Sequence, residues 1–352
     1  MAPSLKDVAR LAGVNASTAS RAIRGDPTQR INPGTRARVL AAADALGYRA
    51  NYLGRGLRVR RTGTLGLVVP NLDFFTFVDI THGVQAAAIE HDRSLLLVEV
   101  DQFTAAGETS IDELLYRRLV AEGRVDGLVI GSRTLADPLV RQLAERRFPM
   151  VMVNRRVPGI PTVVGRDEDA CRRAVAELAA HGHRRVGLIG VVVAGEDVGA
   201  RRDQAFIDAV AAHQLDPDPR LIVHTAMDDE QGRQSVHRLF AQTADDPPTA
   251  VFISSLSMAL GVLQGIRELG IGVPEQLSLI TFPEHRIAQH TNPPLTTVTA
   301  SMFRMGLEAG RLLIRIIDGD TVESVQLDDP PMIVDRGSVG PPVPAVYGMR
   351  EG

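Results

Sequence analysis

From Thr64 onward the chain alternates between short apolar runs and longer stretches with helical periodicity. Apolar strands that no polar residue interrupts, and that helices connect, are typical of parallel sheets covered on both faces. The runs form two sets of four, which predicts two similar, doubly wound α/β lobes. They lie at residues 65–69, 95–98, 127–130 and 150–153, and then at 185–189, 221–223, 250–253 and 277–280.

The N-terminal segment has a different, wholly helical pattern. Ser4 followed three residues later by Asp7 is close to a capping box, which predicts that a helix begins there. Val8 and Leu11 give this helix an apolar stripe, and Gly13 suits the left-handed residue that ends it. A second helix after a glycine turn would complete a helix-turn-helix, the motif that places its second helix in the major groove of DNA.

Two further helices of this segment have recognisable starts. Asn15 is a good N-cap for the second helix, and Asn32 followed by Pro33 predicts the start of a third. The third helix would end at Gly47 and complete an all-α head over residues 1–50. On the second helix, Ala19 and Ile23 would face inward. The polar residues that would face outward are Ser17, Thr18, Ser20 and Arg21.

Charge is divided unequally along the chain. Residues 1–62 carry Lys6 and eleven arginines against three aspartates, a net charge of +9; the whole chain carries -3, which leaves -12 for the remainder. A basic head on an acidic body predicts that the head alone meets a polyanion. Residues 51–62 contain Gly54 and Gly56, each of which costs a helix roughly 1 kcal/mol relative to Ala. We expect this segment to be a hinge that orders only on DNA, beside the hinge of a dimer mate.

Residues 5–21 read LKDVARLAGVNASTASR, and this pattern resembles the signature of the lactose-repressor (LacI/GalR) family of bacterial transcription regulators. The resemblance implies a two-lobed body of the periplasmic sugar-binding-protein type behind the head, with a ligand cleft between the lobes. It also implies a DNA-binding transcriptional repressor that a small-molecule effector controls. The resemblance continues at residues 32–48, 51–57, 181–185, 251–261 and 293–298.

The same resemblance suggests domain boundaries. No leucine heptad follows Arg336, and the Pro-rich tail at residues 341–352 is expected to be loose. A tetramerising helix is therefore not expected, which favours a homodimer. The head would span 1–50, the hinge 51–62 and the body 63–340, with a first lobe of 63–163 plus 292–322 and a second of 164–291 plus 323–340.

Arg21 is the first candidate for reading a base of a pseudo-palindromic operator. Its guanidinium can bond O6 and N7 of guanine together, although a phosphate contact is the alternative. The resemblance assigns base contacts to Ala16 and Ser17 as well, and Ala16 can offer only a methyl group. Residues expected to bond phosphates are Thr18, Ser20, Asn32, Thr35 and Arg36, of which Asn32 is equally well explained as a helix cap.

Leu57 lies six residues after Asn51, at the spacing of the leucine that the family wedges into the minor groove. The resemblance therefore implies that Asn51 and Leu57 contact DNA from the hinge. Packing of Leu57 into the body is the alternative.

The effector pocket is predicted around Arg202. Residues 202–206 read RDQAF and resemble the family motif R-x-x-G-F, whose arginine grips the ligand, although Ala205 replaces the glycine. A salt bridge at the helix start is the alternative for Arg202. Other residues that the resemblance places at the cleft are Phe74, Phe77, Asn154, Ser255 and Glu284. Asp167 follows the expected crossover between the lobes and could also face the cleft.

Two positions depart from the polar residues expected in a sugar pocket. Leu256 stands where the family pattern has Asp, and Pro283 also stands where it has Asp. These substitutions remove acceptors for sugar hydroxyls. We therefore expect a sugar-like or anionic metabolite with an acceptor-rich end facing Arg202, or a sugar in an altered pose.

Enzymatic function finds little support in the sequence. Since Lys6 is the only lysine, a phosphate-binding loop with its lysine cannot be built in the body, and residues 187–190 do not complete G-x-G-x-x-G. The His181-Gly182-His183 segment matches a structural Gly-His of the family better than a metal site. We expect no catalytic residues, no cofactor and no metal.

Cys171 is the only cysteine, so no internal disulfide can form. No stretch resembles a signal peptide or reaches transmembrane length, and we therefore expect a cytoplasmic, nucleoid-associated protein that binds no membrane. Two alternative functions stay open. A solute-binding protein would require only the body, and an effector-independent DNA-binding regulator would use the head without a ligand.

Overall fold

The computed structural model of the chain describes residues 3–24, 31–48, 61–100, 115–131, 137–191 and 197–343. The chain divides into two compact units at residues 1–62 and 63–352, hereafter the head unit and the body. None of the helices in these described ranges is long and apolar enough to cross a membrane.

The described part of the head unit contains three helices, each with the start that its sequence predicts. The Ser4 hydroxyl accepts from the Asp7 N–H, and the Asp7 carboxylate accepts from the Ser4 N–H, which completes a capping box. The Asn15 side chain accepts from the Thr18 N–H at 2.7 Å, and the Asn32 side chain caps the third helix. The helices are α1 (Leu5–Leu11), α2 (Ala16–Arg24) and α3 (Pro33–Ala45).

The core of the head is built from small side chains. Val8, Ala19 and Val39 are completely buried. The expected inward position of Leu11 was wrong, since its side chain is 57% exposed. Helix α1 instead turns Val8, Ala9 and Ala12 inward, and at 100° per residue Leu11 lies on the far flank of that stripe.

The described part of the body contains two sheets, and four strands of each lie at the apolar runs that the sequence predicted. The first sheet has the order β11-β5-β4-β3-β1-β2, and all of its strands are parallel. Its strands are β1 (Thr64–Val69), β2 (Ser94–Glu99), β3 (Gly127–Ile130), β4 (Met150–Val153), β5 (Thr162–Val164) and β11 (Val325–Gln326).

The second sheet has the order β12-β10-β9-β8-β6-β7, and only its edge strand β12 runs antiparallel to its neighbour. Two doubly wound lobes are therefore confirmed. The strands of this sheet are β6 (Val186–Val191), β7 (Ile222–Thr225), β8 (Ala250–Ile253), β9 (Ser278–Thr281), β10 (Thr296–Val298) and β12 (Ile333–Val334).

Helices connect these strands. The α-helices of the described body are α4 (Phe75–Glu90), α5 (Asp137–Glu145), α6 (Asp167–Ala180), α7 (Asp197–Ala212), α8 (Asp229–Gln242), α9 (Leu256–Glu268) and α10 (Met302–Asp318). The described body also has a π-helical turn at Tyr116–Ala121 and 3₁₀ turns at Pro219–Leu221 and Arg286–His290.

The chain crosses between the lobes later than the sequence predicted. Residues 292–322 were assigned to the first lobe, yet β10 pairs with β9 of the second sheet, so this crossing follows residue 298. Residues 323–340 were assigned to the second lobe, yet β11 pairs with β5 of the first sheet. These strands have only two or three residues, too few for a hydrophobic pattern to reveal.

Each lobe contains one pair of helices that glycines bring into close contact. In the first lobe, a Cβ atom on Gly306 of α10 would lie 2.1 Å from the carbonyl oxygen of Ile80 in α4. In the second lobe, a Cβ atom on Gly261 of α9 would lie 1.6 Å from the carbonyl oxygen of Asp229 in α8. No side chain larger than hydrogen fits at either position without a backbone shift.

Candidate DNA-binding face and effector site

The outer face of α2 carries the residues that the sequence selected for DNA contact. Ala16, Ser17 and Arg21 are exposed, whereas Ala19 and Ala22 are buried on the opposite side. The Ser17 hydroxyl donates to the Asn15 side chain at 2.7 Å, which leaves the Ser17 oxygen free to accept. Thr18 and Ser20, the expected phosphate ligands on this helix, are half-buried.

The start of α3 provides a second group of polar side chains. The Asn32 side-chain oxygen accepts from the Gly34 N–H at 2.9 Å, so it acts as a cap, and only its NH₂ group remains to donate elsewhere. Thr35 is half-buried and Arg36 is exposed. Asn51 and Leu57 lie outside the residues that the structure describes.

In the body, Arg202 and Asp167 form a nearly buried ion pair. Arg202 lies on α7, and its Nε and Nη2 atoms donate to the Asp167 Oδ2 atom at 3.2 and 2.8 Å. The two side chains are 11% and 3% exposed. The salt bridge that was the alternative for Arg202 is thus present, and the pair as a unit carries no net charge.

Further contacts of Arg202 come from loops that follow strands of the second sheet. The Arg202 Nη1 atom donates to the carbonyl oxygen of Ser254 at 3.4 Å, directly after β8. Its guanidinium carbon lies 4.8 Å from the ring centre of Phe282, directly after β9. Asp167 itself begins α6, just after β5. The site thus lies at the carboxyl ends of the strands, where ligands of open α/β sheets bind.

One oxygen of Asp167 lacks a hydrogen bond. The Oδ1 atom is buried and has no partner among the described residues. An unsatisfied buried acceptor costs about 1–3 kcal/mol, and more when it is charged. A hydroxyl or N–H donor from outside the protein would therefore be stabilised at this atom.

The aromatic residues near residue 75 do not all face the cleft. Phe77 was expected to contact the effector, but it is only 2% exposed and belongs to the core of the first lobe, where a Cβ atom on Gly131 would lie 2.8 Å from its ring. Phe74 precedes α4 and is half-buried against that core. Phe75, which the sequence did not single out, stacks on His285 with ring centres 4.9 Å apart.

Phe75 and its neighbours join the two lobes. The Phe75 ring also packs against the hydrophobic core of the second lobe. The Ser257 hydroxyl of α9 donates to the carbonyl oxygen of Asp73 at 3.4 Å. The loop before α4 therefore touches the second lobe through an aromatic stack and a hydrogen bond.

The remaining cleft candidates differ in how many hydrogen bonds their side chains already make within the protein. Glu284 is bonded through both carboxylate oxygens, since Arg336 donates to it at 2.6 and 2.9 Å and Thr297 donates as well. Both of its carboxylate oxygens are therefore already engaged within the second lobe. Ser255 is 4% exposed, and its side chain does not cap α9. Asn154 follows β4, is half-buried and has a positive φ of 59°.

His183 is buried, and its ring nitrogens are engaged in hydrogen bonds within the second lobe. Its Nδ1 atom lies 2.9 Å from the Thr249 hydroxyl, and its Nε2 atom lies 3.0 Å from the Ser278 hydroxyl and 2.9 Å from the carbonyl oxygen of Gly340. Burial is the main cause that lowers the pKa of His183. The described residues include no group of three side chains arranged to hold a metal ion.

Comparisons with known proteins agree with this geometry. Residues 4–51 match the bacterial regulatory proteins of the lacI family, and residues 175–339 match the periplasmic binding protein-like domain. The HTH-type transcriptional repressor CytR of Escherichia coli (strain K12) is 32% identical over 345 residues, which cover 96% of this chain and 96% of that protein. The chain belongs to the lacI family of bacterial regulatory proteins.

Solved structures of the family share its fold. The complex of the transcriptional regulator CelR with cellobiose matches with a TM-score of 0.70 and 30% identity, and the match covers 96% of this chain and 99% of that one. The lac repressor dimer bound to operator and the anti-inducer ONPF matches with a TM-score of 0.80 over 97% and 100% of the chains, at 21% identity. This member of the lacI family is thus a DNA-binding transcriptional regulator with an effector-binding body.

Proposed function

We propose that the protein is a repressor that binds a pseudo-palindromic operator as a homodimer and is controlled by a neutral, hydroxyl-rich ligand between its lobes. The head supports the DNA part of this proposal. It combines a net charge of +9 with an α2 face on which Arg21 is exposed. Two such heads related by a two-fold axis would read two inverted half-sites.

The observation that carries the ligand class is the Asp167–Arg202 pair. Because Asp167 already accepts two hydrogen bonds from Arg202, the arginine does not present an uncompensated positive charge. The buried atom that lacks a partner is an acceptor, Asp167 Oδ1, and it requires a donor. A ligand hydroxyl can donate to that oxygen, whereas a phosphate or carboxylate group would be repelled by it. This revises our expectation of an anionic end facing Arg202.

Side chains near the junction of the lobes also suit a carbohydrate. Phe75 and Phe74 offer aromatic surface near the lobe junction, and Ser255 offers a buried hydroxyl. Aromatic rings cover the apolar faces of sugar rings, and hydroxyls complete their hydrogen bonds. The solved complex of CelR with cellobiose supports a carbohydrate for a related body.

Isothermal titration calorimetry of the full chain tests this ligand class. Cellobiose and a panel of neutral mono- and disaccharides would be compared with phosphorylated sugars and small organic acids. We expect a neutral saccharide to bind, and Asp167→Asn or Arg202→Ala to weaken it by at least about tenfold, the equivalent of one charge-assisted hydrogen bond.

Asp203→Asn is a matched control for these variants. Asp203 is the next residue on α7, but its carboxylate lies 2.7 Å from His224 Nε2 and makes no hydrogen bond to Arg202 in the described structure. It should leave saccharide affinity within about twofold of the wild type. The proposed site would be contradicted if only phosphorylated sugars or organic acids bound. It would also be contradicted if the Asp167 and Arg202 variants bound the saccharide as tightly as the wild type does.

A further inference from the structure

The first residue of the body, Gly63, is held from both sides by neighbouring strands. Its N–H group donates to the Asp126 Oδ2 atom at 2.8 Å, and its carbonyl oxygen accepts from the Ser94 N–H at 2.8 Å. Asp126 immediately precedes β3, and its side chain is only 4% exposed. A buried carboxylate is therefore aimed at the backbone where the body begins.

Arg93 compensates the charge of this carboxylate. Its Nη1 atom lies 3.4 Å from Asp126 Oδ2, and its Nη2 atom lies 3.2 Å from an oxygen of Asp318 at the end of α10. The Arg93 side chain is only 12% exposed. The carboxylate of Asp126 thus joins the start of β1 to the segment before β2 and, through Arg93, to α10.

The sheet does not need this carboxylate to hold its strands together. Strand β1 already pairs with β2 from Thr64 onward and with β3 from Leu65 onward. The Asp126 N–H also donates to the carbonyl oxygen of Thr64 at 2.8 Å. Burial of an ion pair seldom adds net stability over an apolar alternative. The arrangement therefore invites an explanation other than the stability of the sheet.

The position of this carboxylate along the chain suggests a role in placing the head. The head unit ends at residue 62, so Gly63 is the residue at which the chain enters the body. Gly63 has a φ of +69°, and a Cβ atom added there would meet nothing within 4 Å. Glycine at position 63 is thus favoured by the left-handed backbone conformation and not by a lack of space for a side chain.

We propose that Asp126, supported by Arg93, is a positioning residue for operator recognition. By fixing the N–H group of Gly63, it fixes the point and direction at which the chain leaves the first lobe toward the hinge. If this anchor is released, the two heads of a dimer gain freedom that binding to paired half-sites must remove again. Specific affinity then falls, while non-specific affinity for any duplex does not. This inference rests on the proposed dimeric complex with a two-fold operator.

Four variants of the full chain separate the parts of the anchor. Asp126→Ala removes the acceptor for Gly63, while Asp126→Asn keeps an oxygen at the same place and loses only the charge. Arg93→Met removes the compensating cation. Asp318→Asn is the matched control, because it changes the half-exposed carboxylate that Arg93 contacts and leaves the Asp126 carboxylate in place.

The measurements are the Kd for a duplex that the wild type selects from a randomised library, the Kd for a random-sequence duplex of equal length, and the midpoint of thermal unfolding. For Asp126→Ala we expect specific affinity to fall by about tenfold or more while non-specific affinity stays within about twofold. Asp126→Asn should recover most of the specific affinity. Arg93→Met should fall between Asp126→Ala and the wild type, because the acceptor for Gly63 remains but loses its supporting cation. Asp318→Asn should match the wild type.

Equal affinity of Asp126→Ala and the wild type for the selected duplex would overturn the proposal, and so would a parallel loss of both affinities. Should Asp126→Ala fail to fold, Gly63→Ala provides the test, because it opposes the left-handed φ without a clash. An unchanged ratio of specific to non-specific affinity in that variant would also overturn it. If the wild type selects no duplex at all, the proposed function fails instead.

Discussion

Arg202 donates from Nε and Nη2 to the same oxygen of Asp167, at 3.2 and 2.8 Å, and the other oxygen of that carboxylate is buried without a partner. The pair is therefore both a structural unit of the second lobe and an incomplete hydrogen-bond site. It joins α7 to the start of α6, where the chain enters that lobe from β5. This dual role makes separate predictions for stability and for ligand binding.

Arg202→Ala should destabilise the body by roughly 3–5 kcal/mol, because it leaves a buried carboxylate without its cation. The double variant Arg202→Ala/Asp167→Ala should cost clearly less than the sum of the two single variants, since neither charge is then left alone. Guanidinium unfolding of the four proteins measures this coupling. Strictly additive costs would show that the pair contributes nothing as a pair.

Gly261→Ala should destabilise the second lobe by about 1–3 kcal/mol or more, because the new Cβ atom would lie 1.6 Å from the carbonyl oxygen of Asp229 and force α8 and α9 apart. Gly272→Ala is the control, since its Cβ atom would meet only side-chain atoms, the nearest at 3.3 Å. Thermal unfolding should separate the two variants clearly. Equal stability would contradict the close packing of these helices.

The stability of the second lobe should decrease as the pH falls below about 6.5. Burial lowers the pKa of His183 from 6.5, so the unfolded chain takes up a proton before the folded protein does. The contribution of neutral His183 is thus complete above 6.5 and is lost as the pH falls toward the folded pKa. Urea midpoints between pH 8 and pH 5 measure this slope.

His183→Gln should flatten that slope, because it removes the buried imidazole whose pKa burial lowers. A wild-type slope that persists in His183→Gln would assign the pH dependence to other groups.

Much of the fold was predictable because its signals are local. Four strands of each sheet are apolar runs bounded by polar residues, and the capping residues Ser4, Asn15 and Asn32 all act within three positions of themselves. Strands β10, β11 and β12 lacked such a signal because they are short and depend on partners far along the chain.

The effector site was predictable only in part. The likeness to the motif R-x-x-G-F indicated Arg202, and the place after the lobe crossover indicated Asp167. No local pattern reveals that these two residues, 35 positions apart, form an ion pair. The position of Phe77 could have been predicted, since it shares a helical stripe with Ile80 and Val84, both completely buried. The stack of Phe75 on His285 could not, because it depends on how the two lobes meet.

Arg21→Ala should abolish preference at one base pair in each half-site, because Arg21 is exposed on α2 and makes no hydrogen bond or ion pair within the described head. Arg36→Ala is the comparison, since a phosphate contact from α3 should weaken all sequences alike and reduce the salt dependence by about one counterion. Competition binding with single-base operator variants distinguishes the two patterns. Uniform weakening by Arg21→Ala would make Arg21 a phosphate ligand.

The most direct test of the regulator is selection of duplexes from a randomised library by the full-length protein, followed by footprinting of the enriched sequence. We predict an inverted repeat, bound by a dimer, in which one base pair of each half-site loses its preference in Arg21→Ala. Affinity should fall steeply as salt rises, because the +9 head releases counterions from DNA. No enrichment, or an enriched site without two-fold symmetry, would contradict the account.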